Sequence, residues 1–311
     1  MSSKGSWTSS AWDTYSKSTG VKSVTAATVS SVYKSTGLKD SLNPLKFKLR
    51  ESRDSAEYPN STPIFIGLDV TGSMAGVITE VIKGLDTLVT EVYSRKPITD
   101  AQIAFGGIGD FVYDKAPIQI SQFESDIKIA EALQEIYYES CGGGNDSEGY
   151  IGAWYYAANH IVSDNYEKRG KKGILFTIGD ECPTPRLTKE QIKKFIGDDV
   201  QVDSYTAEEL LDEVSKKWEV YHLIIEQGNY IRNHGNRDKV IEKWSSLMGQ
   251  NAIPVDDYTK ISEIIVSILQ AYAGESIDKI VSSWDGSTSL TVKRAISGLK
   301  TTDTSSGLVE F

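Results

Sequence analysis

Five residues, Asp69-Val70-Thr71-Gly72-Ser73, set a carboxylate and two hydroxyls at alternate positions directly after an apolar run, Ile64-Phe65-Ile66-Gly67-Leu68. Three hard oxygens in one turn suit a hard cation such as Mg²⁺, Mn²⁺ or Ca²⁺. Gly72 permits a tight turn between them, and the first turn of a following helix leaves amides free to orient the carboxylate. The same residues also read as an ordinary helix start, with Asp69 capping and Thr71 and Ser73 satisfying turn amides. Context separates the two readings. A second polar loop, Cys141-Gly142-Gly143-Gly144-Asn145-Asp146-Ser147-Glu148, precedes an expected helix. A third, Thr177-Ile178-Gly179-Asp180-Glu181, follows a wholly apolar strand. Each cluster adjoins an element that points to the same edge of a sheet.

From residue 63 onward, short apolar runs alternate with helical periodicity, the pattern of an α/β protein with a doubly wound, mostly parallel sheet flanked by helices. Strands are expected at 63–68, 101–107, 173–178, 219–225 and 252–255. Val77, Val81, Leu85, Leu88 and Val92 fall at i, i+3/i+4 spacing and mark one helix. Others are expected at 123–138 and 148–162. Thr188 with Gln191 and Thr206 with Glu209 form capping boxes, so 181–218 reads as a helical insertion. The stripe Ile261, Ile264, Ile265, Ile268 and Leu269 marks a further helix. In such a sheet the ligand site lies at the carboxyl ends of the strands.

The main domain is expected at 61–273, with an N-terminal arm at 1–60 and a C-terminal extension at 274–311. The first forty residues hold 17 Ser and Thr, and Lys17-Ser18-Thr19-Gly20 returns as Lys34-Ser35-Thr36-Gly37, read as two similar turns in an extended arm. Leu45-Lys46-Phe47-Lys48-Leu49 alternates like an edge strand. Residues 1–53 carry a charge of +6 and the remainder −16, for a net −10. An acidic body repels phosphate backbones, which argues against nucleic acid, while the basic arm suits an acidic surface of its own or of a neighbouring copy. Two cysteines, Cys141 and Cys182, do not make a disulfide scaffold. The first residues lack the apolar core of a signal peptide, and no run reaches the ~20 apolar residues of a membrane helix. A cytoplasmic protein is the expectation.

The three loops together resemble the metal-ion-dependent adhesion site of von Willebrand factor A (vWA) domains, whose pattern is Asp-x-Ser-x-Ser, a Thr from a second loop and an Asp after a later strand. Asp69, Thr71, Ser73 and Asp180 match it, with Thr71 in place of the first Ser. The second loop has no Thr, so the resemblance implies that Asp146 supplies that oxygen, with Asn145, Ser147 and Glu148 as alternatives. It further implies a Rossmann-like fold over 61–273 and a bound Mg²⁺, or Mn²⁺ or Ca²⁺. Thr71, Ser73 and one second-loop group would ligate directly, and Asp69 and Asp180 directly or through water. The open position would take a partner protein's carboxylate, making the chain an adaptor, for an ATPase or a kinase, and not an enzyme.

Two other functions compete with that one. The first is an assembly component, of the kind a phage encodes, whose arm inserts into a neighbouring subunit. The second is a hydrolase using Asp69 as nucleophile, against which Val70-Thr71-Gly72-Ser73 lacks a second carboxylate for acid/base work. No phosphate-binding loop follows an apolar strand, and His160, His222 and His234 lack the i, i+4 pairing of zinc-binding helices. Gly106-Gly107-Ile108-Gly109-Asp110 reads as a strand-to-turn transition that leaves Asp110 at the rim of the site.

Overall fold

The computed structural model describes residues 7–23, 25, 33, 35–139 and 146–300. In chain order it forms α1 (Ser9–Thr19), β1 (Arg50–Ser52), β2 (Thr62–Asp69), α2 (Ala75–Lys83), α3 (Leu85–Arg95), β3 (Ala101–Ile108), β4 (Ile118–Ile120) and α4 (Lys128–Glu135). Next come β5 (Ser147–Glu148), α5 (Tyr150–His160), β6 (Ile161–Ser163), α6 (Asp164–Arg169) and β7 (Gly173–Gly179). The insertion holds β8 (Cys182–Pro183), β9 (Arg186–Thr188), α7 (Lys189–Phe195), β10 (Ser204–Thr206) and α8 (Ala207–Val214). The chain continues through β11 (Trp218–Ile225), α9 (Asn229–His234), α10 (Arg237–Met248), β12 (Ala252–Val255), α11 (Ile261–Tyr272), α12 (Ile277–Ser282) and α13 (Gly286–Ile296).

Six strands make one sheet in the order β12-β11-β7-β2-β3-β4, parallel throughout except for β4, which runs antiparallel to β3. The chain is thus a mixed α/β protein built on a mostly parallel sheet. Alternation along the strands divides the interior in two. Ile64, Ile66 and Leu68 of β2 enter one core with α2, α3, α4 and α11, while Phe65 enters the other with α5, α8 and α10. A sheet covered on both faces needs apolar residues at every position, and β2 and β7 are buried along their whole lengths.

All five expected strands form, and both capping boxes close reciprocally, Thr188 with Gln191 and Thr206 with Glu209. Other expectations need correction. The helix read through Val77–Val92 is two helices, divided at Gly84, where an added Cβ would stand 2.4 Å from Ser262 Oγ. The helix expected at 123–138 shrinks to α4, because Glu124 bridges to Ile103 beside β3. The 148–162 helix stops at His160, and the chain goes straight into β6. Residues 45–49 form no strand. Leu45, Phe47 and Leu49 are exposed, and it is β1 just beyond them that pairs, in parallel with β6 and outside the main sheet.

Of the two similar tetrads, the first ends α1, with Gly20 closing the helix at φ 72°; Lys34 of the second lies outside the described residues. The segment expected as an arm supplies Trp12, Val21, Tyr33 and Leu42 to the core that also holds Ile64, Ile66 and Leu68. Further along, Asp54 ties the linker down. It accepts two bonds from the Arg169 guanidinium, at 2.9 and 3.0 Å, and two from Ser61, from its amide at 3.0 Å and its hydroxyl at 2.9 Å. Among the described residues, no helix is long and apolar enough to cross a membrane.

Candidate functional site

The last residue of β2 is Asp69, and β7 ends one residue before Asp180, so two neighbouring parallel strands deliver both carboxylates to the same edge of the sheet. Beyond Asp69, the amide of Val70 still bonds to the carbonyl of Ile108, and the chain then turns through Gly72–Met74 into α2. That turn folds Thr71 back onto the carboxylate. Asp69 Oδ1 accepts the Thr71 amide at 2.9 Å and its hydroxyl at 2.6 Å. Thr71 Oγ1 lies 3.3 Å from Ser73 Oγ, and Ser73 Oγ donates to Asp180 Oδ1 at 3.0 Å. Asp180 Oδ2 accepts the amide of Tyr230, near the start of α9, at 2.8 Å. Gly228 allows that approach, since an added Cβ would be 2.2 Å from Asp180 Oδ2.

Asp69, Thr71, Ser73 and Asp180 are therefore one hydrogen-bonded chain of oxygens, with Asp69 and Asp180 shut away from solvent. Two further residues complete the surroundings, Tyr150, which no sequence pattern marked, and Glu181 of the third polar loop. Tyr150, at the start of α5, donates its hydroxyl to Asp69 Oδ2 at 3.0 Å. Glu181 is partly buried, with Oε2 lacking a partner. A buried tyrosine at a helix start looks like core in a sequence, and only the fold shows that it faces Asp69.

The second loop divides. Asn145, together with Cys141 and Gly142–Gly144, lies outside the described residues. Asp146 is exposed and ion-paired with Lys239, and among the described residues no hydrogen bond joins it to the Asp69–Asp180 chain. Ser147 is partly buried in β5. Glu148 is the enclosed carboxyl of this loop, 1% exposed, with Oε2 unpartnered. Asp110 is buried in the turn after β3, where its amide bonds to Asp114 Oδ2 at 2.7 Å.

Among the described residues the cluster has no basic hydrogen-bond partner. Asp69 and Asp180 draw their bonds from hydroxyls and amides, none of them from Lys or Arg. Burial pushes the Asp69 carboxyl up, and Asp180 beside it adds to the effect. Burial likewise raises Asp180. Glu148 is driven well above the usual range by burial and then by Asp69 and Glu181. Glu181 is pushed up to about 9 by burial and then by Asp69 and Asp180. Desolvation leads in each case.

His222 and Trp244 back the site. His222 Nδ1 lies 2.8 Å from Thr177 Oγ1, its ring stacks on Trp244 at 3.5 Å, and burial holds the imidazole neutral. His160 instead contacts Asp198, and His234 ends α9.

Comparison with known proteins corrects the family expectation. No protein-family model matches the chain, and no curated protein sequence matches it. Similar solved structures include two of the pilus adhesin SpaC from Lactobacillus rhamnosus GG, one in an open conformation. Each is 10% identical with a TM-score of 0.49 over 71% of this chain. The chain spans only 31% and 32% of their lengths. With no family model matching, the assignment to the vWA family, and with it the named adhesion site, is not upheld. In addition, among the described residues no three or more His, Cys, Asp and Glu side chains are grouped so as to hold a metal ion. The motif was read from four residues, and no family model supports the family they suggested.

Proposed function

We propose that this chain is a protein-recognition module whose contact depends on a divalent cation, Mg²⁺ or its relatives Mn²⁺ and Ca²⁺, at the carboxyl edge of a doubly wound sheet. The reading stands on the residues and not on a family. The observation that carries it is the chain Asp69–Thr71–Ser73–Asp180, two buried carboxylates and two hydroxyls in hydrogen-bond contact, with no basic side chain among their partners in the described residues. Hydroxyls take the place of a third carboxylate in this donor set, and hard oxygens of that kind suit a hard cation. The orphaned oxygens of Glu148 and Glu181 fit the same need for positive charge nearby.

When bound, the cation would supply charge and a free coordination position for a carboxylate of a partner protein. The chain's own part is to hold Thr71, Ser73 and Asp180 in place and to keep Asp69 oriented. No nucleophile or proton carrier is required, so the module binds and does not turn over.

Isothermal titration of the full chain with MgCl₂ and MnCl₂ tests the reading. One ion should bind per chain, and Asp69→Ala should lose it while its circular dichroism stays that of the folded protein. Equal binding by the wild type and Asp69→Ala, or none by the wild type, would overturn the assignment.

A further inference from the structure

We propose that Tyr150 sets the cation preference of this site by confining Asp69 to one ligating oxygen, which favours a small octahedral ion over Ca²⁺. The inference rests on the cation-dependent reading above and adds a specificity-determining residue to it. Asp69 is gripped from two elements. The turn into α2 holds Oδ1 through the Thr71 amide and hydroxyl, and α5 holds Oδ2 through the Tyr150 hydroxyl at 3.0 Å. A carboxylate held in this way cannot rotate to offer both oxygens to one ion without breaking a buried hydrogen bond. Two-oxygen ligation suits Ca²⁺, which accepts irregular shells at about 2.3–2.6 Å. Mg²⁺ asks for single oxygens in a near-ideal octahedron at about 2.0–2.1 Å.

Tyr150 is itself fixed, which turns one hydrogen bond into a rigid constraint. Its ring packs edge-on to His222, with centroids 4.9 Å apart, and to Trp244, at 5.4 Å. The hydroxyl occupies space that Gly179 leaves open, since a Cβ there would fall 1.8 Å from it. With the phenol packed against β7, β11 and α10, its hydroxyl is held in place on Asp69 Oδ2.

Tyr150→Phe keeps the ring and removes only the hydroxyl. Titrating the full-length wild type and the variant with MgCl₂ and with CaCl₂ gives the ratio of the two affinities, a quantity that a loss of packing alone would leave unchanged. The wild type should bind Mg²⁺ more tightly than Ca²⁺. In Tyr150→Phe the ratio should move toward Ca²⁺ by about tenfold, as expected for one hydrogen bond to a charged group. An unchanged ratio in a variant that still binds, or an equal loss of both ions, overturns the role of Tyr150 and leaves the cation reading standing. A wild type that binds neither ion overturns both.

Discussion

Replacing Arg169 with Met should destabilise the protein by about 2 kcal/mol, because it removes the clamp that holds the linker before β2. Arg169 makes two parallel bonds to Asp54, at 2.9 and 3.0 Å, and a third to the carbonyl of Ser61 at 2.9 Å. The two side chains are 20% and 15% exposed, so the pair falls between a surface ion pair, about 0–1 kcal/mol, and a buried one whose breakage costs about 3–5 kcal/mol. Lys168, 3.3 Å from Asp54, remains as a partial substitute and keeps the cost near the middle of that range. Urea unfolding at pH 7 measures it, with Asp54→Asn and the double variant completing a cycle. The Arg169 guanidinium holds the Asp54 carboxyl well below the usual carboxylate range. A depressed folded pKa contributes stability above the unfolded value, near 3.9, and loses it as pH falls through the folded one. The gap between wild type and Arg169→Met should therefore be level from pH 5 to 8 and close below about pH 4. A gap under about 0.5 kcal/mol at pH 7, the scale of a neutral surface change, would refute the clamp.

Trp12→Ala should cost about 3–5 kcal/mol in the same assay, since Trp12 is 1% exposed in the main core. A loss under about 1 kcal/mol would mean that α1 is dispensable to that core. Thr206→Ala should cost about 1 kcal/mol by opening the capping box of α8, and hydrogen exchange should rise first at the amides of that helix. Unchanged exchange there would show that tertiary packing alone holds its first turn.

Much of the architecture was legible because burial on both faces writes a strand as an unbroken apolar run, and β2 and β7 carry such runs. Thr188 and Thr206 announced their helices because a capping box lies within four consecutive residues. What could not be read depends on residues far apart in the chain. The close approach of Ser262 to Gly84 joins residues far apart in the chain, and β4 is only three residues long and runs antiparallel to β3. In the site, Asp69 and Asp180 stood out as carboxylates following apolar strands. The enclosure of Glu148 and the exposure of Asp146, two residues apart, depend on β5 pairing with β8 and on Lys239. Tyr150 gave no signal at all, because its polar atom is one among many on a helix of aromatic and small residues.

The two borders of the main sheet have a consequence for life in a crowded solution. A sheet border offers unpaired amides and carbonyls on which another chain can add a strand. Here one border is β4, three residues long and reversed in direction, and the other is β12, four residues that include Pro254, which has no amide hydrogen to give. A second molecule would find too short a template on either side to extend the sheet. The long, buried strands β2 and β7, with the apolar runs most able to seed fibrils, are kept in the middle, where they are reached only if the molecule unfolds.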